Sequence, residues 1–573
     1  MPNKVYSIKI GGQAGQGIKS AGLAFSKIAA RSGYHIYNYI EYPSLIRGGH
    51  NVMQTIFSTD PVFSAIKTVN FLVALNQETV TLHKDELENG AAVIYEADSK
   101  IDTSMCQDKC HLIAVPLKKI ATESGGQEIT ANNVALGAAL AVMGGNLQLL
   151  LDIINEDLGA KNGDLVNINQ TAAKAGFDFV TQNFKDKITP VLSPQNNQNK
   201  MMVVNGTDAV GLGAVAAGLQ YAAIYPMSPT SNILSFLAAN QRKYNFIFKQ
   251  AEDEIAAINM SIGASFAGAR SMTTTSGGGF CLMTEGYGLA GMTETPLVIV
   301  EGMRGGPGTG LPTWSEQGDL RMILHSHQGE FPRIILAAGD AKETFDLTMK
   351  CFNLADKYQT PVVLLLDKNI LDDEQTFPEF DYSNYKINRG KISTEINSEY
   401  HRYALSEDGI SPRSFPGLGN HMIGNSDEHN TSGFSSEEIK DRNEQMEKRL
   451  KKLDTCAKED MEKPLLFGPE NADITLVSWG SNKGSILEAL KDHPNVNYIH
   501  IQWISPFPVD SLKEMLSRAK YLIDIECNST AQMAGLIREK TGIDILDKLL
   551  KNDGRPIFPE EIKEKINSVL NRQ

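Results

Sequence analysis

Three α/β domains with mainly parallel sheets are predicted for this chain of 573 residues. Three observations carry that reading. Short apolar runs alternate with amphipathic stretches through residues 5–184, 201–367 and 473–557, the rhythm of strand–helix units. The polar run 187–200, which holds two prolines, breaks that rhythm and has the composition of a linker. The length exceeds what one core can fill and by itself suggests about four domains. Three blocks and one long connecting segment fit the pattern better.

Residues 5–10 read as the first strand, 11–17 as a turn and 18–31 as a helix. Residues 34–40 form the next strand, and the apolar runs 69–75 and 91–95 are buried strands. A second block opens at 201–205, with strands that include 297–300 and 361–366. Residues 375–435 are rich in Ser, Gly, Asn and Pro; a segment of that size is more often a functional or subunit-contacting loop than an idle one. Residues 437–463 alternate in charge, which predicts a solvated helix face. The third block starts at 473–478. The division is therefore 1–186, the linker 187–200, 201–374, the connecting segment 375–465, and 466–573.

Composition narrows the function. Lys and Arg number 54 against 68 Asp and Glu, a net charge of −14. Both nucleic acid and anionic membranes are polyanions, so neither is expected as the main partner. The greasiest stretch, 134–143, ends in two glycines and falls well short of the ~20 residues that span a bilayer. Six cysteines are scattered, with only Cys106 and Cys110 close together, a spacing that makes no zinc or iron–sulfur cassette. Free thiols in a reducing, cytoplasmic compartment are expected.

Three glycine-rich loops could hold ligands. The first, Gly11-Gly12-Gln13-Ala14-Gly15-Gln16-Gly17, lies between a strand and a helix and leaves amides bare for an anion. It lacks the strict dinucleotide register and reads equally as a tight structural turn. The second, residues 303–313, follows a strand. It sets Arg304 beside four glycines and two threonines, a composition suited to a carboxylate or phosphate; pairing with an internal acid is the plainer reading. The third, 273–280, carries hydroxyls and glycines that suit close approach of a ligand or subunit, or simple flexibility.

Two further stretches stand out. In Tyr225-Pro226-Met227-Ser228-Pro229, either Ser228 faces a site or Thr230 or Ser231 merely caps the next helix. Glu252, Asp253 and Glu254 open a helix that is otherwise apolar or small. A carboxylate buried there suits acid–base or cofactor-activating work.

Taken together these residues resemble the 2-oxoacid:ferredoxin oxidoreductases, thiamine-diphosphate enzymes that make acyl-CoA by oxidative decarboxylation. Residues 1–184 resemble the gamma domain of that family through Gly11–Gly17 and Arg47-Gly48-Gly49. Residues 201–367 resemble the pyrimidine-binding domain of its alpha subunit. The third block resembles the transketolase-type C-terminal domain through Ser478-Trp479-Gly480-Ser481, Ser505-Pro506-Phe507-Pro508 and Glu526-Cys527-Asn528. The fused gamma–alpha order points to the 2-oxoglutarate branch, with 2-oxoglutarate converted to succinyl-CoA and CO2.

The resemblance implies roles. Ser228 replaces the family's substrate-contacting threonine, within a motif that places Tyr225 and Pro226 beside the cofactor. Arg304 grips the 2-oxoacid carboxylate, with Thr313 close by. Glu254, or Glu252 if the register slips, bonds N1′ of the aminopyrimidine. Gly11, Gly12, Gly15, Gly17 and Arg47 are candidates for CoA; His50, Arg47, His325 and His327 are candidates for the distal carboxylate. The usual Ser-Gly-Pro-Gly appears as Ser276-Gly277-Gly278-Gly279.

No Gly-Asp-Gly with a downstream asparagine and no four-cysteine cluster is present in the sequence. The resemblance assigns Mg²⁺ and a [4Fe-4S] cluster to a separate beta subunit, with thiamine diphosphate shared across the interface in a dimer of heterodimers. Ferredoxin, itself usually acidic, is expected to dock on that partner. The rival readings are a nucleotide- or CoA-binding α/β module and a non-catalytic regulatory subunit.

Overall fold

The strand Tyr6–Gln13 buries Ile8 and Ile10 and organises the first of two units. The computed structural model describes residues 4–43, 49–159, 163–195, 200–396 and 399–572. The first unit comprises residues 1–204, 373–379 and 558–560. Its sheet runs His111–Val115, Leu87–Glu96, Val69–Ala74, Tyr6–Gln13, His50–Ser58, His35–Glu41, Glu374–Pro378, Met201–Val204. The first four strands are parallel, and from His50–Ser58 onward each is antiparallel to the one before.

The apolar run 134–143 is a buried core helix, Ala131–Val142. It crosses the helix Gly163–Asn183 at two glycines. A Cβ on Gly137 would lie 1.9 Å from the Ala173 carbonyl oxygen, and one on Gly176 would lie 2.1 Å from that of Val134. The proline-bounded run 187–200 is anchored over its first half: Leu192 is buried, and the Tyr34 hydroxyl donates to the Val191 and Ser193 carbonyls at 2.8 and 3.0 Å. Residues 375–378, expected to open an irregular segment, instead belong to the strand Glu374–Pro378, which pairs between His35–Glu41 and Met201–Val204. That pairing joins residues more than three hundred positions apart, which local periodicity does not reveal.

The second unit comprises residues 205–372, 380–557 and 561–573. One sheet runs Trp503–Ser505, Ile334–Ala337, Pro361–Asp367, Leu297–Met303, Ser271–Thr275, Tyr221–Ile224, Ile247–Gln250, parallel except at Trp503–Ser505. The other runs Leu465–Phe467, Val496–His500, Ile474–Ser478, Tyr521–Glu526, Asp547–Leu550, parallel except at Leu465–Phe467. Both contribute to one apolar cluster, where Val477 and Trp479 join Leu297, Ile299 and Tyr287. The parallel strands read as continuous apolar runs because helices cover both faces.

The charge-alternating stretch departs from expectation. The helix Ile439–Glu459 buries Gln445, Lys448, Arg449, Lys452 and Cys456, a stripe at helical spacing. Lys448 and Lys452 meet Glu294 at 2.7 and 2.6 Å, and Arg449 meets Glu428 at 2.7 Å. The cations lie inside because the buried Glu294 and the partly buried Glu428 receive them. Burial opposes ionisation of Glu294, yet Lys448, Lys452 and Arg402 outweigh it and hold its carboxyl well below the usual range. Its stabilising contribution is therefore in place above the unfolded value of about 4.3 and is lost as pH falls through the depressed folded value. Glu294→Ala strands two buried lysines. It is expected to cost about 3–5 kcal/mol, read as a lower urea midpoint at neutral pH.

Candidate active site

Ligands of parallel sheets bind beyond the carboxyl ends of the strands. At that edge of the seven-stranded sheet the chain places Tyr225 after Tyr221–Ile224, Ser276 after Ser271–Thr275 and Arg304 after Leu297–Met303. The acids that follow Ile247–Gln250 lie at the same edge. Asp253 caps the helix Glu254–Phe266, its side chain accepting from the Ala256 amide at 2.7 Å. Glu254 is 3% exposed and its Oε1 accepts no hydrogen bond, whereas Glu252 is exposed. A buried polar atom without a partner costs about 1–3 kcal/mol, so such an oxygen is a candidate to meet a ligand.

The third glycine stretch is not a loop. Its first residues complete the strand Ser271–Thr275, and Gly277-Gly278-Gly279 begin the helix Gly277–Met292. Two of these glycines make room for carboxyl groups. A Cβ on Gly277 would fall 2.4 Å from Asp319 Oδ2; one on Gly279 would fall 2.6 Å from Glu254 Oε1 and 2.1 Å from Thr275 Oγ1. Absence of a side chain, rather than flexibility, is what these positions require.

Arg304 and Ser228 are brought together. Arg304 Nη1 donates to the Ser228 backbone carbonyl at 2.8 Å, and Ser228 itself is exposed. Gly302 lets the turn settle on the strand, since a Cβ there would reach Thr230 Cγ2 at 2.7 Å and Pro229 at 3.1 Å. Thr230 stands at the N-cap of the helix Ser231–Tyr244, but its hydroxyl donates to the Met227 carbonyl at 2.9 Å instead of capping. Tyr225 is half-buried and Pro226 exposed. Burial lowers the Arg304 guanidinium from its ordinary value, while Asp319 and Glu301 act to raise it.

The loop after Arg304 closes on itself. Gly305 N donates to the Trp314 carbonyl at 3.2 Å and Leu311 N to the Gly305 carbonyl at 2.8 Å, which sets the half-buried Thr313 on the returning arm. Gly310 has φ +53°, and a Cβ there would meet the Gly305 oxygen at 2.0 Å. Gln317 then ties the loop to the five-stranded sheet. Its side-chain oxygen accepts from Asn482 Nδ2 at 2.7 Å and Cys527 N at 2.9 Å, and its Nε2 donates to the Trp479 carbonyl at 2.9 Å. The motifs around Trp479 and Cys527 thus hold the loop that carries Arg304.

Sequence reasoning missed Glu301, Gln317 and Asp319. Glu301 left a signal, an acid inside the otherwise apolar or small strand Leu297–Met303. Gln317 and Asp319 left none, because their partners are distant in sequence.

Comparison with known proteins decides the family. Residues 212–448 match the family model "Pyruvate flavodoxin/ferredoxin oxidoreductase, thiamine diP-bdg", and residues 7–179 match "Pyruvate ferredoxin/flavodoxin oxidoreductase". The chain is 33% identical to a 2-oxoacid:ferredoxin oxidoreductase subunit alpha from Sulfolobus sp, over 98% of this chain and 96% of that one. The chain belongs to the 2-oxoacid:ferredoxin oxidoreductases. It is also 28% identical to the 2-oxoglutarate oxidoreductase subunit KorA of Mycobacterium tuberculosis, over 98% of this chain and 91% of that one. A solved structure, the 2-oxoglutarate:ferredoxin oxidoreductase from Magnetococcus marinus with 2-oxoglutarate, coenzyme A and succinyl-CoA bound, matches with a TM-score of 0.92 and 31% identity, covering 99% of each chain. The chain is an oxidoreductase alpha subunit of this family with the thiamine-type domain fused behind a gamma-type one.

In this oxidoreductase the first glycine loop is only partly a loop. The strand Tyr6–Gln13 runs through Gly11 and Gly12, so the turn is confined to 14–17. A Cβ on Gly11 would meet Thr79 Cγ2 at 2.6 Å, and one on Gly12 would meet Gln16 Oε1 at 2.5 Å; both glycines answer to packing. Gly17, with φ +74° at the head of the helix Ile18–Arg31, faces Asn132. Gly15, with φ +91°, has no neighbour within 4 Å of a Cβ position. It lines a cavity of about 310 Å³ with Gln13, Gln16, Lys118, Glu128 and Asn132. Arg47 lies outside the described residues.

The histidines separate by environment. Burial, with help from His83 and Lys9, lowers the His50 imidazole to about 4, so it is neutral at physiological pH. Its Nε2 lies 3.0 Å from His83 Nε2, and His83 Nδ1 lies 2.9 Å from Glu86. His325 is exposed at the end of the helix Leu320–His325, and His327 packs over Gly288 and Phe331.

Proposed function

We propose that this chain is the gamma–alpha subunit of a 2-oxoglutarate:ferredoxin oxidoreductase. The overall reaction breaks the C1–C2 bond of 2-oxoglutarate, releases CO2, joins the remaining acyl group to the CoA thiol and passes two electrons to ferredoxin. The observation that carries this reading is the Glu254 carboxylate, buried at the strand edge with one oxygen free and a glycine kept clear beside it. Substrate choice is supported by the ligands bound to the Magnetococcus marinus enzyme and by the name of the Mycobacterium tuberculosis relative.

Thiamine diphosphate, when bound, supplies the carbon nucleophile and electron sink that decarboxylation of a 2-oxoacid needs. This chain's residues then have distinct tasks. Glu254 would hold the aminopyrimidine through its free oxygen, and Tyr225 and Pro226 would be among the residues that bind the cofactor. Arg304 takes the oxoacid carboxylate, aided by the Ser228 and Thr313 hydroxyls. The cavity at Gly15 suits part of CoA: Lys118, paired with Glu128 at its wall, supplies charge, and the Gly15 and Gly17 amides stand at a helix N-terminus, those of Ala14 and Gln16 being bonded to the Gly49 and Gln13 carbonyls. Gly17 adjoins it through Asn132, whereas Gly11 and Gly12 serve the packing of the strand beneath.

The diphosphate–Mg²⁺ site and the [4Fe-4S] cluster are assigned to a beta subunit, which also receives ferredoxin, in a dimer of heterodimers. The division at 186, 200, 374 and 465 accompanies this assignment. Among the described residues no helix is long and apolar enough to cross a membrane, and all six cysteines are free, which supports a cytoplasmic setting.

Titration of thiamine diphosphate into the chain, its beta partner and their mixture tests the shared site. Tight binding is expected only in the mixture; equally tight binding to either component alone contradicts it. Gly279→Ala is expected to push the Glu254 carboxylate aside and lower turnover by about 10²-fold, the scale of a displacement near 1 Å, with circular dichroism unchanged.

A further inference from the structure

Behind Arg304 lies an acid pair that the proposed reaction does not use. Glu301 sits on the strand Leu297–Met303, fully buried, and neither of its oxygens accepts a hydrogen bond from an N–H or hydroxyl. Thr275 is the register partner of Glu301 on the neighbouring strand, and two residues on, Gly277 leaves the space that the Asp319 carboxyl fills, so the two acids meet at one strand end and each acts on the other. Asp319 is itself fixed against Gly277, at the N-terminus of the helix Gly277–Met292, where the helix dipole favours an anion. Two carboxylates that touch in a dry site cannot both be ionised; the stable arrangement has one proton between them.

We propose that Glu301 holds a proton and donates it in a hydrogen bond to Asp319, so that Arg304 faces a single counter-charge and keeps the rest of its positive potential for the substrate carboxylate. Both acids act on Arg304 through space. Were both ionised, their two charges would outweigh the guanidinium and repel the incoming anion.

The surroundings favour retention of the proton. Burial, then Asp319, Asp367 and Cys281, push the Glu301 carboxyl well above the usual range. Asp367, at the end of Pro361–Asp367, is itself raised by burial and accepts from the Asn369 and Ile370 amides. Cys281, on the helix Gly277–Met292, is raised by burial and by Asp319, so its thiol is neutral. From the loop, Glu316 is raised by burial and faces Asp319. Arg304 is the cation that acts on the Glu301–Asp319 pair.

This inference rests on Arg304 binding the oxoacid, and its test separates the two. In the holoenzyme complex, KM for the 2-oxoacid should rise by about tenfold or more toward alkaline pH as Glu301 ionises. In Glu301→Gln, which keeps the shape and the donor, KM should stay flat over the same range; Asp319→Asn should flatten it too. kcat should follow one pH profile in all three proteins. An infrared band from a protonated carboxyl, present in the full wild-type chain at neutral pH and lost in Glu301→Gln, supports the shared proton without reference to activity. Absence of that band, or a Glu301→Gln profile that coincides with wild type, overturns the proposal. An unchanged KM in Arg304→Ala, with the band present, overturns instead the assignment of Arg304 to the substrate.

Discussion

Glu254→Gln is expected to lower 2-oxoacid-dependent acceptor reduction by about 10²- to 10⁴-fold in the reconstituted complex, the range that a positioned acid–base group contributes. Glutamine preserves size and burial, so the substitution removes ionisable character and little else. Glu254 is buried with one oxygen unpartnered, and Gly279 leaves that oxygen its space. Glu252 is exposed one residue ahead of the capping Asp253, and Glu252→Gln is expected to leave the rate unchanged. The assay is viologen or ferredoxin reduction at saturating thiamine diphosphate. Full activity in Glu254→Gln removes this residue from the cofactor role.

Arg304→Ala is expected to lower kcat/KM for the 2-oxoacid by roughly 30- to 1000-fold, equivalent to about 2–4 kcal/mol for a hydrogen-bonded charge pair. The guanidinium is steered by the Ser228 carbonyl at 2.8 Å and by the closed loop that returns through Thr313. Arg304→Lys restores charge without the fork and is expected to recover only part of the loss. Steady-state kinetics with several 2-oxoacids check this, and an unchanged kcat/KM in Arg304→Ala would contradict it.

What could be read from the chain follows a physical division. Parallel strands such as Pro361–Asp367 and the helix Ile18–Arg31 were legible because periodicity and apolar runs are local. The strand Glu374–Pro378 was not, because its hydrogen-bond partners come from residues 37–38 and 201–204. The helix Ile439–Glu459 misled for the same reason: its lysines look solvated until the buried Glu294 is placed against them. Among the candidate site residues, Glu254 and Arg304 stand out in the sequence through the contrast of charge with apolar or glycine-rich neighbours. Gly277 and Gly279 drew notice as glycines, but their reason, room for two carboxyl groups, required Asp319 and Glu254 in space.

The most direct measurement counts products in the purified complex of this chain with its beta partner. The account predicts that 2-oxoglutarate, CoA and oxidised ferredoxin yield succinyl-CoA, CO2 and two reducing equivalents in fixed ratio, with 2-oxoglutarate preferred over pyruvate by kcat/KM. No CoA-dependent reduction with any 2-oxoacid, or the same turnover by the beta partner without this chain, would contradict it.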